Sequence, residues 1–575
     1  MVSPNLVKRG GDDQPVEINE AVKGLFQLIY QEQNKTERSD DNIPRLRVSS
    51  LISRLSFFYE KIRNAVDYEE DHLLRKNAIS RILRRQIMIE GVLKDTDALG
   101  VSNHLLIELI RGGYLPNNEI PEEKVGEIAG HLEKYLRLKD YFSSALNGEI
   151  GLKADVEKVK DLIKSKNKII RWLLTLAACE IEENLSPDPI KKKIVTELFS
   201  VLTKIVKLPT HSPYEADLKI QIYLSISRTF LKSDSDMLNF VLFKYFNDSW
   251  TDFKAGAEID GANLQKIEKL SGTLVSLKSS IDEQLNHPLV KHLDRITRRY
   301  SLYFTALSEA ITDDPAAVYN EINKGEKSLA NLIRKICNRK YKKAKKRLWR
   351  AAAHSIVYIF LTKSIFVFLI EIPAIKWFGE PLNLLSLAIN ISFPAILLFL
   401  IVMFTNRPGE NNTDKIIEGV KEIALAGRSK KQPLVLRPSL GRNWFKNGIF
   451  NLIYAASFCV SIYFIIRILI WIDFNWVSIV IFLFFLAFVS FFSVITTKGV
   501  KELIVVERRE NIFTFILDLF YMPIILVGRW LSGEVAKINV FIFLFDFIIE
   551  TPFKVLVEVG EDWTRYVRER RDNLD

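Results

Sequence analysis

Apolar positions follow two regimes along the chain. Up to about residue 350 they recur every three or four positions among charged residues, and beyond it they merge into long unbroken runs. The first regime predicts amphipathic helices. Over 49–66 it sets Leu51, Ile52, Leu55, Phe58, Tyr59, Ile62 and Val66 on one face. Over 155–181 it does the same with Val156, Val159, Leu162, Ile163, Ile169, Ile170, Leu173 and Leu174. Leu264, Ile267, Leu270, Leu274, Leu277 and Ile281 approach a heptad seam. Three heptads are marginal for a free coiled coil, so the inner face of a bundle helix is the simpler reading. No sustained two-residue alternation that would build a sheet occurs. Breakers such as "GGYLPNNEIP", "SPDP" and "LPTHSP" mark the connections, and in "TDDPAA" Asp314 is placed to cap a helix whose first turn holds Pro315. The expected fold class is all-α. A tail over 1–15, expected to be disordered, precedes a large cytoplasmic helical bundle or irregular helical array over 16–335, with 140–155 as a candidate division.

The second regime predicts membrane spans, since about 20 apolar residues cross the hydrocarbon core. Four stretches qualify: 351–370 with the single charge Lys363, 384–405 with none, 449–472 with Arg467, and 476–496 with none. The linker Asp473-Phe474-Asn475 implies a tight hairpin between the third and fourth. After 497 the pattern changes. Thr514, Asp518, Tyr521, Gly528 and Ser532 draw a narrow polar stripe, and Asp546, Glu550, Lys554 and Glu558 repeat every four residues on one face of an otherwise apolar helix. Amphipathic helices lying in the cytoplasmic interface over 498–575 are the favoured reading. A fifth and a sixth span joined by "SGEVAK" are the rival.

Charge sets the orientation, because Lys and Arg accumulate on the cytoplasmic side. The segment 334–350 holds ten Lys or Arg and no acidic residue, among them Arg339, Lys340, Lys342, Lys343, Lys345, Lys346, Arg347 and Arg350. The loop 406–446 holds nine, including Lys430 and Lys431, whereas the short turns at the other ends hold only Lys376. Both termini are therefore expected in the cytoplasm of a multi-pass protein of the plasma membrane. The net charge of +11 could suggest nucleic acid, but the surplus lies beside the spans and only Tyr341 and Trp349 offer stacking surfaces there. Anionic lipid headgroups are the expected partner, and nucleic acid is not.

Catalytic chemistry is sparse. There is no phosphate-binding glycine loop, no H-E-x-x-H, no G-x-S-x-G and no kinase motif set. The three cysteines, Cys179, Cys337 and Cys459, are too far apart for a zinc cluster and read as small buried apolar groups in a reducing compartment. In "YEEDHLLRKN" Glu69 stands three residues before His72, half of a di-iron bundle motif, but no second copy exists. A solvated acidic-then-basic patch with pairs such as Asp71 to Arg75 is the plainer reading. No cofactor or metal is expected, and no enzyme.

The charges inside the spans are sharper candidates, since ionisable groups in hydrocarbon are costly and mark functional paths. Lys363, Glu371 and Arg467 could meet near the outer mouth if the first and third spans touch, and Asn383, Ser386 and Asn390 stripe the second span as helix-to-helix glue. The expected function is a membrane anchor, scaffold or sensor–effector presenting a helical domain to a protein partner. An oligomeric transporter or pore component is the alternative, with a lipid-processing enzyme behind it.

Overall fold

The computed structural model describes residues 18–34, 43–64, 70–89, 97–151, 156–250, 261–405, 408–425, 433–436, 444–506 and 512–537, with a few helical positions from 559 to 570. In chain order its first half comprises α1 (Glu20–Gln33), α2 (Ser50–Asn64), α3 (Asp71–Arg84), α4 (Ala98–Arg111), α5 (Glu123–Gly151), α6 (Val156–Leu185), α7 (Pro189–Ile205), a two-residue strand β1 (Val206–Lys207), α8 (Leu218–Thr229), α9 (Ser235–Phe246) and α10 (Gly261–Leu285). Then come α11 (Val290–Asp313), α12 (Pro315–Lys324), α13 (Glu326–Phe366), a π-turn (Val367–Glu371), α14 (Ile372–Trp377), α15 (Leu384–Met403) and α16 (Glu410–Ala424). The chain closes with β2 (Leu434–Val435), α17 (Trp444–Trp471), α18 (Trp476–Lys501) and α19 (Ile512–Lys537). The fold is all-α, as the three-to-four-residue periodicity predicts. Local chemistry sets many helix starts: the carboxylates of Asp97, Asp188, Asp234 and Asp314 and the amides of Asn383 and Asn475 each accept a first-turn backbone N–H.

Two compact units divide the chain. One comprises Gln31–Thr297 with Leu434–Leu436 and Leu544–Asp575, the other Met1–Tyr30 with Arg298–Pro433 and Arg437–Phe543. In the first, α3 to α6, α9 and α10 share one core, with Leu105, Leu109, Ile128, Leu132, Leu173 and Leu174 fully buried. Helices α5 and α6 pack on each other across the candidate division at 140–155, so the two sides share that core and no division falls there. Ile267, Leu274 and Ile281 of α10 point into the same core, with Leu270 and Leu277 partly buried beside them. Strand β1 pairs in parallel with β2, Val206 opposite Leu434.

The second unit holds four helices long and apolar enough to cross a membrane: the α13–α14 rod, α15, α17 and α18. Exposed Trp444 marks one end of this bundle, and exposed Trp377 and Trp471 mark the other, where interfacial aromatic residues belong. Helix α13 runs 41 residues without interruption, about 60 Å, so the basic segment and the first span are one rod. The segment expected as a loop over 406–446 contains α16, whose apolar face of Ile416, Ile417, Val420 and Ile423 is buried. Asn19 N donates to Ala424 O at 2.9 Å, the Tyr300 hydroxyl donates to Glu422, and the Tyr303 ring covers Gly419. A Cβ at 419 would fall 2.3 Å from that ring, which explains the glycine. Helices α1, α11 and α16 therefore gather at one end of the bundle.

Helix α19 departs from the interfacial reading. Ser457 and Ser461, midway along α17, donate to the carbonyls of Leu519 and Phe520. Gly528 lies against the backbone of Ala487, midway along α18. Ile524, Val527 and Leu531 join Leu469, Phe474 and Phe482 near the α17–α18 turn. Helix α19 thus runs antiparallel to α18 and is seated against both α17 and α18. The short linker at 473–475 still turns tightly, with Asp473 in the left-handed region at φ 60°, a conformation Asp tolerates.

Candidate functional site

The polar residues of the bundle converge where α13, α15 and α18 meet. Lys363 and Glu371 are separated by eight residues, a phase difference of about 80° on a plain α-helix. The π-turn accommodates one extra residue, worth about 100°, and so swings Glu371 back onto the face of Lys363. Both side chains are fully buried, with Lys363 Nζ 3.9 Å from Glu371 Oε2. Glu371 Oε1 accepts hydrogen bonds from Asn390 Nδ2 at 2.5 Å and from Ser478 Oγ at 2.7 Å. Nζ also lies 3.7 Å from the centroid of the Phe485 ring and 5.4 Å from that of Phe366. Val367, Ile375, Leu387 and Val477, from the π-turn, α14, α15 and α18, form one buried apolar cluster.

Of the four intramembrane candidates, three meet and Arg467 does not. It lies on an exposed face of α17, while α13 packs on α15 and α18. Helix α17 packs on α19, which in turn packs on α18. Ser386 is buried beside the site and Asn383 caps α15. Ser478 and Phe485 escaped sequence reasoning, because one serine and one phenylalanine inside an apolar run carry no signal of their own.

A comparison with protein-family models, curated proteins and solved structures finds no match for this chain. The functional reading therefore rests on geometry.

The basic segment is one face of α13. Its opposite stripe, Ile333, Ile336, Cys337, Tyr341 and Leu348, is buried. Burial pushes the Cys337 thiol up to about 11, in keeping with an inert apolar role. Arg339 pairs with Asp313, Lys340 with Glu309 at 3.0 Å, and Arg334 with Asp414 at 2.7 Å. Lys342, Lys343, Lys345, Lys346, Arg347 and Arg350 are exposed and have no acidic partner among the described residues. Lys430, Lys431, Asp546, Glu550, Lys554 and Glu558 lie outside the described residues, as do the tail 1–15 and Glu69.

A second polar cluster lies in the core of the first unit. Glu180 of α6 accepts from His131 Nδ1 at 2.8 Å, from Tyr135 at 2.6 Å, from Trp250 Nε1 at 3.1 Å and from Lys134. Burial alone would raise its carboxyl, but the His131 hydrogen bond, the Lys134 charge and hydrogen bond and the Tyr135 hydroxyl outweigh that and hold it at about 2. Nearby, Arg75 grips Glu182 with two bonds of 2.7 and 2.8 Å, and buried Lys76 joins Asp234 and Asp236. These contacts are complete and internal, so they tie helices together. Among the described residues no group of three His, Cys, Asp or Glu could hold a metal.

Proposed function

We propose that this is a polytopic membrane protein that presents a large helical domain to the cytoplasm for contact with a protein partner, as an anchor, scaffold or sensor–effector. The observation that carries the reading is α13. One rod bears the buried Lys363 in the bundle, the unpaired basic face beside it, and the contacts to α11 and α16 beyond. A change in the bundle is thereby transmitted to the helices gathered at its end. The unpaired cations face the anionic headgroups of the cytoplasmic leaflet, at about 1 kcal/mol each. In this reading the membrane is the plasma membrane and both termini are cytoplasmic, as they are whether the segment 498–575 lies in the interface or adds a fifth and a sixth span.

Photo-crosslinking of the full-length protein in native membranes tests it. The probe is placed at the exposed Phe58, Tyr245 or Val275 of the first unit, or at the exposed Tyr463 of α17. One recurrent adduct with a second protein at the first set, lost on competition with that purified protein, supports the proposal. Adducts formed only at Tyr463, and only with further copies of this chain, count against it. That outcome favours an oligomeric transporter or pore component, a reading to which the buried Lys363, Glu371 and Asn390 lend weight.

A further inference from the structure

The buried cluster on α13, α15 and α18 is incompletely hydrogen-bonded. Glu371 Oε1 is doubly satisfied, but Glu371 Oε2, Asn390 Oδ1 and Lys363 Nζ have no hydrogen-bond partner although all three residues are fully buried. The 3.9 Å between Nζ and Oε2 is an ionic contact, too long for a hydrogen bond. Two bare acceptor oxygens thus sit with one carboxylate in an apolar surround. We propose that Glu371 is a binding site for one exchangeable proton, with Asn390 accepting from the acid form and Lys363 as the counter-charge released when the proton binds.

Uptake forms one O–H bond on Glu371 as one breaks in a hydronium ion of the solvent, which leaves as water, so the cluster gains one positive charge. Asn390 serves both forms. Its Nδ2 donates to the carboxylate, and after the amide turns over, its Oδ1 accepts from the acid at the same place. A metal ion fits less well, since calcium takes six or more oxygen ligands and magnesium six, and here an ammonium stands beside the one carboxylate. No other charged group among the described residues pairs with Lys363 or Glu371. Among the described residues α15 brings only Asn390 and Ser386 to this region and α18 brings Ser478 and Phe485, while Lys376, Lys498 and Lys501 are exposed at helix ends. Once Glu371 is neutral, Lys363 keeps only the aromatic ring faces, and a lone ammonium in an apolar bundle is strongly disfavoured. Lys363 then leaves its seat, and the π-turn that held the two residues on one face is the segment that yields. Proton occupancy becomes a displacement along α13. This supplies a stimulus for the sensor–effector reading and rests on that reading for its meaning, whereas the proton site itself does not.

Infrared difference spectroscopy of the full-length protein in liposomes, titrated between about pH 4 and 9, reads the carboxylic-acid C=O band directly. The expected result is a band that grows on acidification, vanishes in Glu371→Gln, and shifts in frequency in Asn390→Leu, where the acid has lost its acceptor. Superimposable wild-type and Glu371→Gln spectra, or a band indifferent to Asn390→Leu, overturn the proposal. Should Glu371→Gln fail to fold, the frequency shift in Asn390→Leu still decides. None of these outcomes bears on the crosslinking result, so the two readings fail separately.

Discussion

Acidification acts on the first unit through Glu180, whose carboxyl is held at about 2 against an ordinary 4.5 by His131, Lys134 and Tyr135 despite its burial. Holding the carboxyl that far below its ordinary value makes the ionised form worth about 3 kcal/mol to the fold. Because the folded value lies below the unfolded one, the contribution is fully present above about pH 4.5 and is lost as pH falls toward about 2. Trp250 stacks edge-on against Tyr135 with centroids 4.9 Å apart and donates to the same carboxylate, so its emission reports on the cluster. Hydrogen exchange of the full chain in detergent, followed on peptides covering 128–142 and 173–181, should show protection falling across that window. Glu180→Gln removes the charge but leaves Lys134, 3% exposed, buried without its carboxylate. Breaking one side of a buried pair costs about 3–5 kcal/mol. The variant should therefore exchange faster by roughly a hundredfold or more at neutral pH and lose most of the acid dependence. An unchanged neutral-pH rate, or the same fall in protection on acidification, refutes the assignment of this carboxylate as the central tie.

Other consequences follow from single positions. A Cβ at Gly528 would lie 1.9 Å from the Ala487 carbonyl oxygen, where ordinary contact begins at 3.4 Å. Helix α19 must then retreat by about 1.5 Å, and Gly528→Ala should destabilise the bundle by about 3 kcal/mol in thermal unfolding; an unchanged transition temperature refutes the close crossing. Cysteines from Lys342→Cys and Gly533→Cys, both at exposed positions, should react with a membrane-impermeant maleimide from opposite faces of sealed vesicles, because α19 runs antiparallel to α18. Labelling from the same face returns α19 to the interface. Asn412 donates to the Tyr341 hydroxyl and Leu503 O, both at 2.9 Å, and accepts from Val505 N at 2.6 Å and Val506 N at 3.2 Å, tying α13 and α16 to the exit of α18. Asn412→Leu orphans several of these groups at about 1–3 kcal/mol each, which should open the chain at 502–506 to limited proteolysis. A variant as resistant as the wild type removes Asn412 from that role.

Much of this architecture is written in the chain locally. Capping residues such as Asp188 before Pro189 and Asp314 before Pro315 announce helix starts, and three-to-four-residue spacing announces the buried face of α10 and that of α6 from Ile169 onward, whereas Ile163 of the same predicted stripe is exposed. The lengths of apolar runs announce the four candidate spans. Each signal depends on a residue and its near neighbours along one helix, which is why sequence suffices for it. Which helices touch is a different matter. The sequence placed Lys363, Glu371 and Arg467 together on the premise that the first and third spans meet, but α13 packs on α15 and α18 and Arg467 is left exposed on α17. It described 406–446 only as the basic connection between two spans and did not single out the helix α16 within it. The cover that makes the apolar stripe of α16 a buried face comes from Tyr300 and Tyr303, more than a hundred residues earlier. Glu371 reaches Lys363 only through a π-turn, a one-residue change of helical phase that composition does not encode. Hydrophobic periodicity determined which surfaces must be covered. The tertiary structure decided what covers them, because close approach depends on shape and hydrogen-bond completion between segments far apart in the chain.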